Sequence, residues 1–99
     1  MNTYYVYILD CNDGSYYTGV TRDLDERVYQ HSVGADPKAY TYRRRPIKLV
    51  YIEEFNDVNE AIDFEKQVKG WRREKKIALI NGDTDLLPGL SKNYTDNSE

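Results

Sequence analysis

The run of apolar and polar positions predicts six elements. Tyr4 to Cys11, "YYVYILDC", is rich in β-branched and aromatic residues and predicts a strand. "NDG" at Asn12 to Gly14 is a hairpin signal, and Ser15 to Val20 predicts a second strand paired antiparallel with the first. Asp23 stands where a helix N-cap belongs, with Glu26 three residues on, Leu24 and Val28 on one face, and Gly34 as the stop. Pro37 and Pro46 bracket a loop, after which "IKLVYIEEF" predicts a third strand. A second helix opens at Asp57 and runs to about Lys69, where Gly70 interrupts it, and "WRREKKIALING" predicts a short third helix ending at Gly82. The implied fold class is α+β, a small three-stranded antiparallel sheet flanked by helices. Residues 1–82 would form the domain and residues 83–99 a polar, flexible tail.

Length and composition narrow the picture. A chain of 99 residues fits one domain with a modest core and excludes a large multi-domain enzyme. Ten tyrosines against two phenylalanines put hydroxyls on much of the aromatic surface. No apolar run approaches the roughly 18 residues of a membrane span, and the N-terminus lacks a basic-then-apolar leader, so a cytoplasmic location with no membrane partner is expected. The single cysteine, Cys11, has no disulfide or metal-site partner at a telling spacing and reads as a small buried hydrophobe.

The net charge of −3 argues against a polyanionic partner until its distribution is considered. Eleven of the fourteen cations fall in two windows, Lys38 to Lys48 and Lys66 to Lys76. Charge alone also fits a solvated helix face and a basic loop. In "YTYRRRP", however, Arg43, Arg44 and Arg45 follow Tyr40 and Tyr42, offering phosphate forks and stacking faces together. Lys38 in the same window, and Lys69, Arg72 and Arg73 in the second, extend that candidate track.

Two constellations carry candidate chemistry. Arg27 and His31 stand four apart on the first helix and so share a face, a guanidinium to fix an anionic group beside an imidazole that titrates near neutral pH. On the second helix Ala61, Phe64, Val68 and Trp71 form an apolar side, with Ile62 about 100 degrees round and Glu65 between them. Glu65 reads either as a rim residue reaching water or as one oxygen ligand for a hard cation such as Mg2+. Trp71 reads as core, and Glu53, Glu54 and Glu60 as solvent-facing or capping acids.

"YVY" at Tyr5 to Tyr7, then "YTG" at Tyr17 to Gly19, then Arg27, His31 and the glutamate of "AIDFEKQVKGW" together resemble the GIY-YIG nuclease superfamily, in particular its small stand-alone bacterial branch. The resemblance runs from about Tyr4 to Ile80. Tyr5 replaces the glycine of the first triplet and Thr18 the isoleucine of the second, while both motif tyrosines, Tyr7 and Tyr17, are in place. The resemblance implies metal-dependent hydrolysis of phosphodiesters, with Mg2+ or Mn2+ as cofactor, no nucleotide cofactor, and DNA as the partner. It places Tyr7, Tyr17, Arg27, His31 and Glu65 in the catalytic set, with Glu65 on the metal. The late asparagine of the family would be Asn81, or alternatively Asn93. Tyr17 relayed to His31 is the expected base, with Tyr7 positioning the water or sharing that role. The alternative is a nucleic-acid-binding module of the same fold that cleaves little alone or depends on a protein partner for specificity. A protein-interaction domain using the tyrosine surface is the third reading.

Overall fold

The protein is described by a computed structural model covering residues 2–83. The expected polar tail beyond Asp83 and the alternative asparagine, Asn93, lie outside the described residues. The elements are β1 (Tyr4–Cys11), β2 (Tyr16–Thr21), α1 (Leu24–Val33), a 3-10 turn (Tyr42–Arg44), β3 (Ile47–Phe55), α2 (Val58–Lys69) and α3 (Arg73–Asn81). The three strands form one antiparallel sheet in the order β2-β1-β3, so the expected α+β class and sheet are those observed. The described chain divides into two compact units, residues 1–69 and the part from Gly70 onward. None of its helices is long and apolar enough to cross a membrane.

β1 is the centre of the core. Val6, Tyr7, Ile8 and Leu9 are all buried, and because successive side chains point to opposite faces, the sheet is covered on both sides here. In the register with β2, Tyr7 lies opposite Gly19 and Leu9 opposite Tyr17, so Tyr7 and Tyr17 are diagonal neighbours on one face. Tyr16, opposite Asp10, belongs to the other face. The β1–β3 register shifts at Ile8/Leu9, a bulge in the sheet.

The α1 ends follow the sequence signals. The Asp23 carboxylate accepts the Glu26 N–H at 3.1 Å. The reciprocal half of a capping box does not form: the Asp23 N–H goes to Thr21 Oγ1 and the Glu26 carboxylate accepts from Gln30. At the other end Gly34 is left-handed (φ 70°), with the Ala35 N–H on Gln30 O and the Gly34 N–H on His31 O, a Schellman closure. A side chain at position 34 would also meet the Arg45 guanidinium, 2.5 Å from an ideal Cβ.

α2 packs against all three strands, with the Phe64 ring 5.4 Å from that of Phe55. Its buried residues are Ala61, Glu65 and Val68, so the helix carries a carboxylate in its apolar stripe. Trp71 lies past the end of α2 and does not extend that stripe. In the second unit Trp71 is half-buried, with the Lys75 ammonium 3.8 Å from its ring centre, and Gly82 closes α3 in the left-handed conformation.

Candidate active site

The sheet face bearing Tyr7 and Tyr17, the inward side of α1, and the loop after it meet around one imidazole. His31 is buried at 8% exposure, and the Tyr7 hydroxyl lies 3.2 Å from its Nε2. On the far side of the ring the Thr41 hydroxyl lies 2.7 Å from Nδ1. Tyr7 and Thr41 are each 1% exposed, so this three-residue chain is largely enclosed, with His31 and Thr41 reaching the wall of the adjoining pocket. The Tyr17 ring packs on the His31 ring at 5.1 Å between centroids and on Tyr7 at 6.3 Å.

Gly19 makes the Tyr7 position possible. The Tyr7 ring lies across it, and an ideal Cβ at position 19 would fall 2.5 Å from the phenol oxygen. The glycine of "YTG" is therefore the floor under the buried phenol.

Burial sets the protonation of this enclosed part. Desolvation drives the Tyr7 phenol well above its ordinary range, with the neighbouring Tyr17 pushing the same way and Arg27 opposing. Desolvation, followed by the Arg27 guanidinium, holds His31 below the usual imidazole value, so the ring is neutral at neutral pH. A neutral imidazole has one N–H and one lone pair, so Tyr7, His31 and Thr41 form a line along which a proton can pass.

The open part adjoins it. Tyr17, Arg27, Gln30, His31, Tyr40 and Thr41 border an open pocket of about 460 Å³, with Arg27 exposed at its edge. Glu65 is 9% exposed, and its Oε2 is 2.7 Å from Lys69 Nζ, one turn along α2. That ammonium also stands 5.9 Å from the Tyr17 ring centre. The hydrogen bond to Glu65 is the main reason the Lys69 pKa is raised.

Of the expected catalytic set, Tyr7, Tyr17 and His31 come together directly, Arg27 borders the same pocket as Tyr17 and His31, and Arg27 and Glu65 are both near enough to act on the Tyr7 phenol electrostatically. One pairing is exchanged: the hydroxyl bonded to His31 is that of Tyr7, while Tyr17 meets the imidazole through its ring. The diagonal register explains this, because Tyr7 projects from the buried central strand and Tyr17 from an edge strand. Among the described residues no group of three or more His, Cys, Asp or Glu gathers that could hold a metal. A single carboxylate fits a largely hydrated Mg2+, and the Lys69 ammonium already places a cation against Glu65.

The basic loop is less open than its sequence implies. Arg44 pairs with Asp13 in the hairpin turn at 3.0 Å, donates to Tyr40 O at 2.7 Å and lies 3.8 Å over the Tyr40 ring. Arg45 donates to Tyr42 O and covers the Tyr42 ring at 4.7 Å. Tyr40 itself stacks on Tyr17 at 5.8 Å. Lys38 and Arg43 are exposed, as are Arg72 and Arg73 at the start of α3 and Asn81 at its end in the second unit. Thr41 has no local signal of its importance, since it stands in a stretch that reads as basic surface. Cys11 is buried and free, as its surroundings led one to expect.

Comparison with known proteins places the chain in a family. The sequence matches the GIY-YIG catalytic domain over residues 3–78. It is 43% identical over 81 residues to a UPF0213 protein of Staphylococcus saprophyticus, spanning 82% of this chain and 98% of that one. With a UPF0213 protein of Staphylococcus aureus it shares 44% identity over 80 residues, spanning 81% and 96%. The solution NMR structure of a UPF0213 protein from Bacillus halodurans is similar with a TM-score of 0.53 at 43% identity, covering 80% of this chain and 83% of that chain. A second NMR structure, of an E. faecalis protein, gives 0.55 at 32% identity, covering 77% and 80%. The ordered tyrosines, arginine, histidine and glutamate sit on the matched fold, and the chain belongs to the GIY-YIG nuclease superfamily.

Proposed function

We propose that the protein is a Mg2+-dependent (or Mn2+-dependent) endonuclease-like enzyme that hydrolyses DNA phosphodiester bonds. The observation that carries the reading is the Tyr7 hydroxyl on a neutral, buried His31, with Tyr17 and Arg27 at the rim of the same pocket. In this reading the attacking water gives a proton to the Tyr7 oxygen as Tyr7 hands its own proton to His31 Nε2. The phenol never has to exist as a free phenolate, which its burial disfavours. Arg27 faces the charge that grows on the phosphate, and Tyr17 orients the water or a phosphate oxygen. Glu65 would hold the metal, displacing Lys69 from its carboxylate; a bound divalent cation supplies polarisation of the phosphate and stabilisation of the leaving oxygen. Exposed Lys38 and Arg43, with Arg72 and Arg73, supply non-specific attraction to DNA, and specificity comes from the DNA structure or a protein partner.

The deciding experiment incubates purified protein with single-stranded, duplex and branched DNA, with Mg2+ or with EDTA. Cleavage is expected with Mg2+ and not with EDTA. Glu65→Gln keeps the shape of the side chain and removes its charge, so cleavage should fall by about a hundredfold or more in a folded protein. Salt-sensitive DNA binding with no cleavage under any condition would leave the binding module as the function.

A further inference from the structure

We propose that Thr41 is a positioning residue: its hydroxyl accepts the Nδ1–H of His31 and so keeps the Nε2 lone pair turned toward the Tyr7 hydroxyl. Which ring nitrogen of a histidine carries the proton is set by the hydrogen bond that the other one makes. Here both nitrogens have a hydroxyl partner, Thr41 at 2.7 Å from Nδ1 and Tyr7 at 3.2 Å from Nε2. Either hydroxyl can donate or accept, so the two must be ranked. A phenol is far more acidic than an aliphatic alcohol, hence the better donor and the poorer acceptor. The favoured arrangement has Tyr7 donating to Nε2 and the ring N–H donating to the alcohol oxygen.

The backbone around Thr41 supports a dedicated role. Thr41 occupies the N-cap position of the 3-10 turn Tyr42–Arg44, where a threonine hydroxyl ordinarily caps its own helix, yet it makes no capping hydrogen bond. Its hydroxyl crosses to α1 instead. The turn is held in place by others: the Arg44 carbonyl accepts the Asn12 N–H at 2.8 Å, and the Arg44 guanidinium pairs with Asp13. The hairpin turn thus seats the loop, and the loop seats the imidazole. When Nε2 receives the Tyr7 proton, the Nδ1–H stays on Thr41, and the imidazolium has both protons accepted. The catalytic consequence rests on the nuclease reading; the tautomer does not.

The test uses protein labelled with 15N at the imidazole, whose shifts and two-bond proton couplings distinguish a protonated from an unprotonated ring nitrogen. At about pH 7.5, above the ordinary histidine range, the wild type should show protonated Nδ1 and unprotonated Nε2. Thr41→Val removes the hydroxyl at nearly constant shape and should shift protonation toward Nε2, while Thr41→Ser should retain the wild-type pattern. In single-turnover cleavage Thr41→Val should be about tenfold to a hundredfold slower, with DNA affinity unchanged and Thr41→Ser restoring most of the rate. A wild-type ring protonated at Nε2, or a folded Thr41→Val protein with wild-type shifts, overturns the proposal. Should Thr41→Val fail to fold, the wild-type and Thr41→Ser spectra still decide. Expected spectra without DNA cleavage by the wild type would overturn the nuclease reading and leave the tautomer standing.

Discussion

Tyr7 and Tyr17 are the same residue on neighbouring strands and the same sheet face, but they inhabit different regions. Tyr7 belongs to the enclosed region, where its hydroxyl, His31 and Thr41 are buried and satisfy one another. Tyr17 belongs to the open region with Arg27, at the border of the pocket, where the Lys69 ammonium approaches its ring. Desolvation decides protonation in the first, because a buried phenol and a buried imidazole both resist carrying charge. The second keeps its charged groups within reach of solvent and of a polyanion. A site divided in this way can hold a proton-transfer line at fixed protonation while exposing positive charge to substrate, which neither region alone could do.

The largest effect should come from removing one hydroxyl from each region. Tyr7→Phe takes away the group bonded to His31, so single-turnover cleavage should fall by about a hundredfold or more, the scale of losing a general acid or base. The stability cost should stay within roughly 1 to 2 kcal/mol. Tyr17→Phe should lose about tenfold, since its ring packing survives and only orientation is lost. Tyr16→Phe, on the opposite face, serves as the control. Equal losses for Tyr7→Phe and Tyr17→Phe would erase the division between the regions.

A backbone substitution sharpens the comparison. Gly19→Ala sets a methyl 2.5 Å from the Tyr7 oxygen, and the buried ring has little room to retreat. The expected cost is about 1 to 3 kcal/mol, typical of overpacking. The phenol should also leave His31, taking activity toward that of Tyr7→Phe. Thermal unfolding and cleavage measured together check this; a fully active Gly19→Ala protein would show that the Tyr7–His31 contact is dispensable.

The two regions also differ in how they respond to acid. His31 in the fold titrates below the 6.5 of a free histidine, through burial first and Arg27 second. In that window the unfolded chain binds the extra proton, so stability rises with pH. The contribution of His31 is complete above 6.5 and is lost as the pH falls through the folded value. Between about pH 5 and 8, the His31→Gln protein should therefore show a shallower acid-side fall in melting temperature than the wild type. Parallel curves would mean that His31 is not held neutral by the fold.

Most of the architecture was legible because it depends on local signals. The Asp23 cap, the Gly34 stop and the "IKLVYIEEF" strand are dictated by residues within a few positions of each other, and they stand where the pattern put them. Glu65 was legible as an anomaly on a wheel, and the helix does bury it. Thr41 was not legible, because its meaning comes from a contact with His31 across ten residues that no periodicity records. The arginine triplet was misleading in part for the same reason. Charge density tells how many cations a loop has, and says nothing of the carbonyls and rings that Arg44 and Arg45 already serve.

The smallest expected effects separate Arg43 from Arg44, adjacent residues of which only Arg44 is tied to the hairpin turn that seats the loop. Arg44 is half-buried and joins the loop to the hairpin turn through Asp13, whereas Arg43 is exposed. Because the Arg44–Asp13 pair is itself near the surface, Arg44→Ala should cost only about 1 kcal/mol, with a modest loss of cleavage as Tyr40 and Thr41 lose part of their seating. Arg43→Ala should change stability by less than about 0.5 kcal/mol. DNA binding should rank them the other way. If Arg43 meets one phosphate, its removal should flatten the plot of log affinity against log salt by roughly one unit, the release of about one counterion. Arg44→Ala should leave that slope nearly unchanged. Titrations over a range of salt, run beside thermal unfolding of both variants, make the comparison. An Arg44→Ala protein of wild-type stability with a flattened slope would move Arg44 from the framework that seats the loop to the DNA-facing surface.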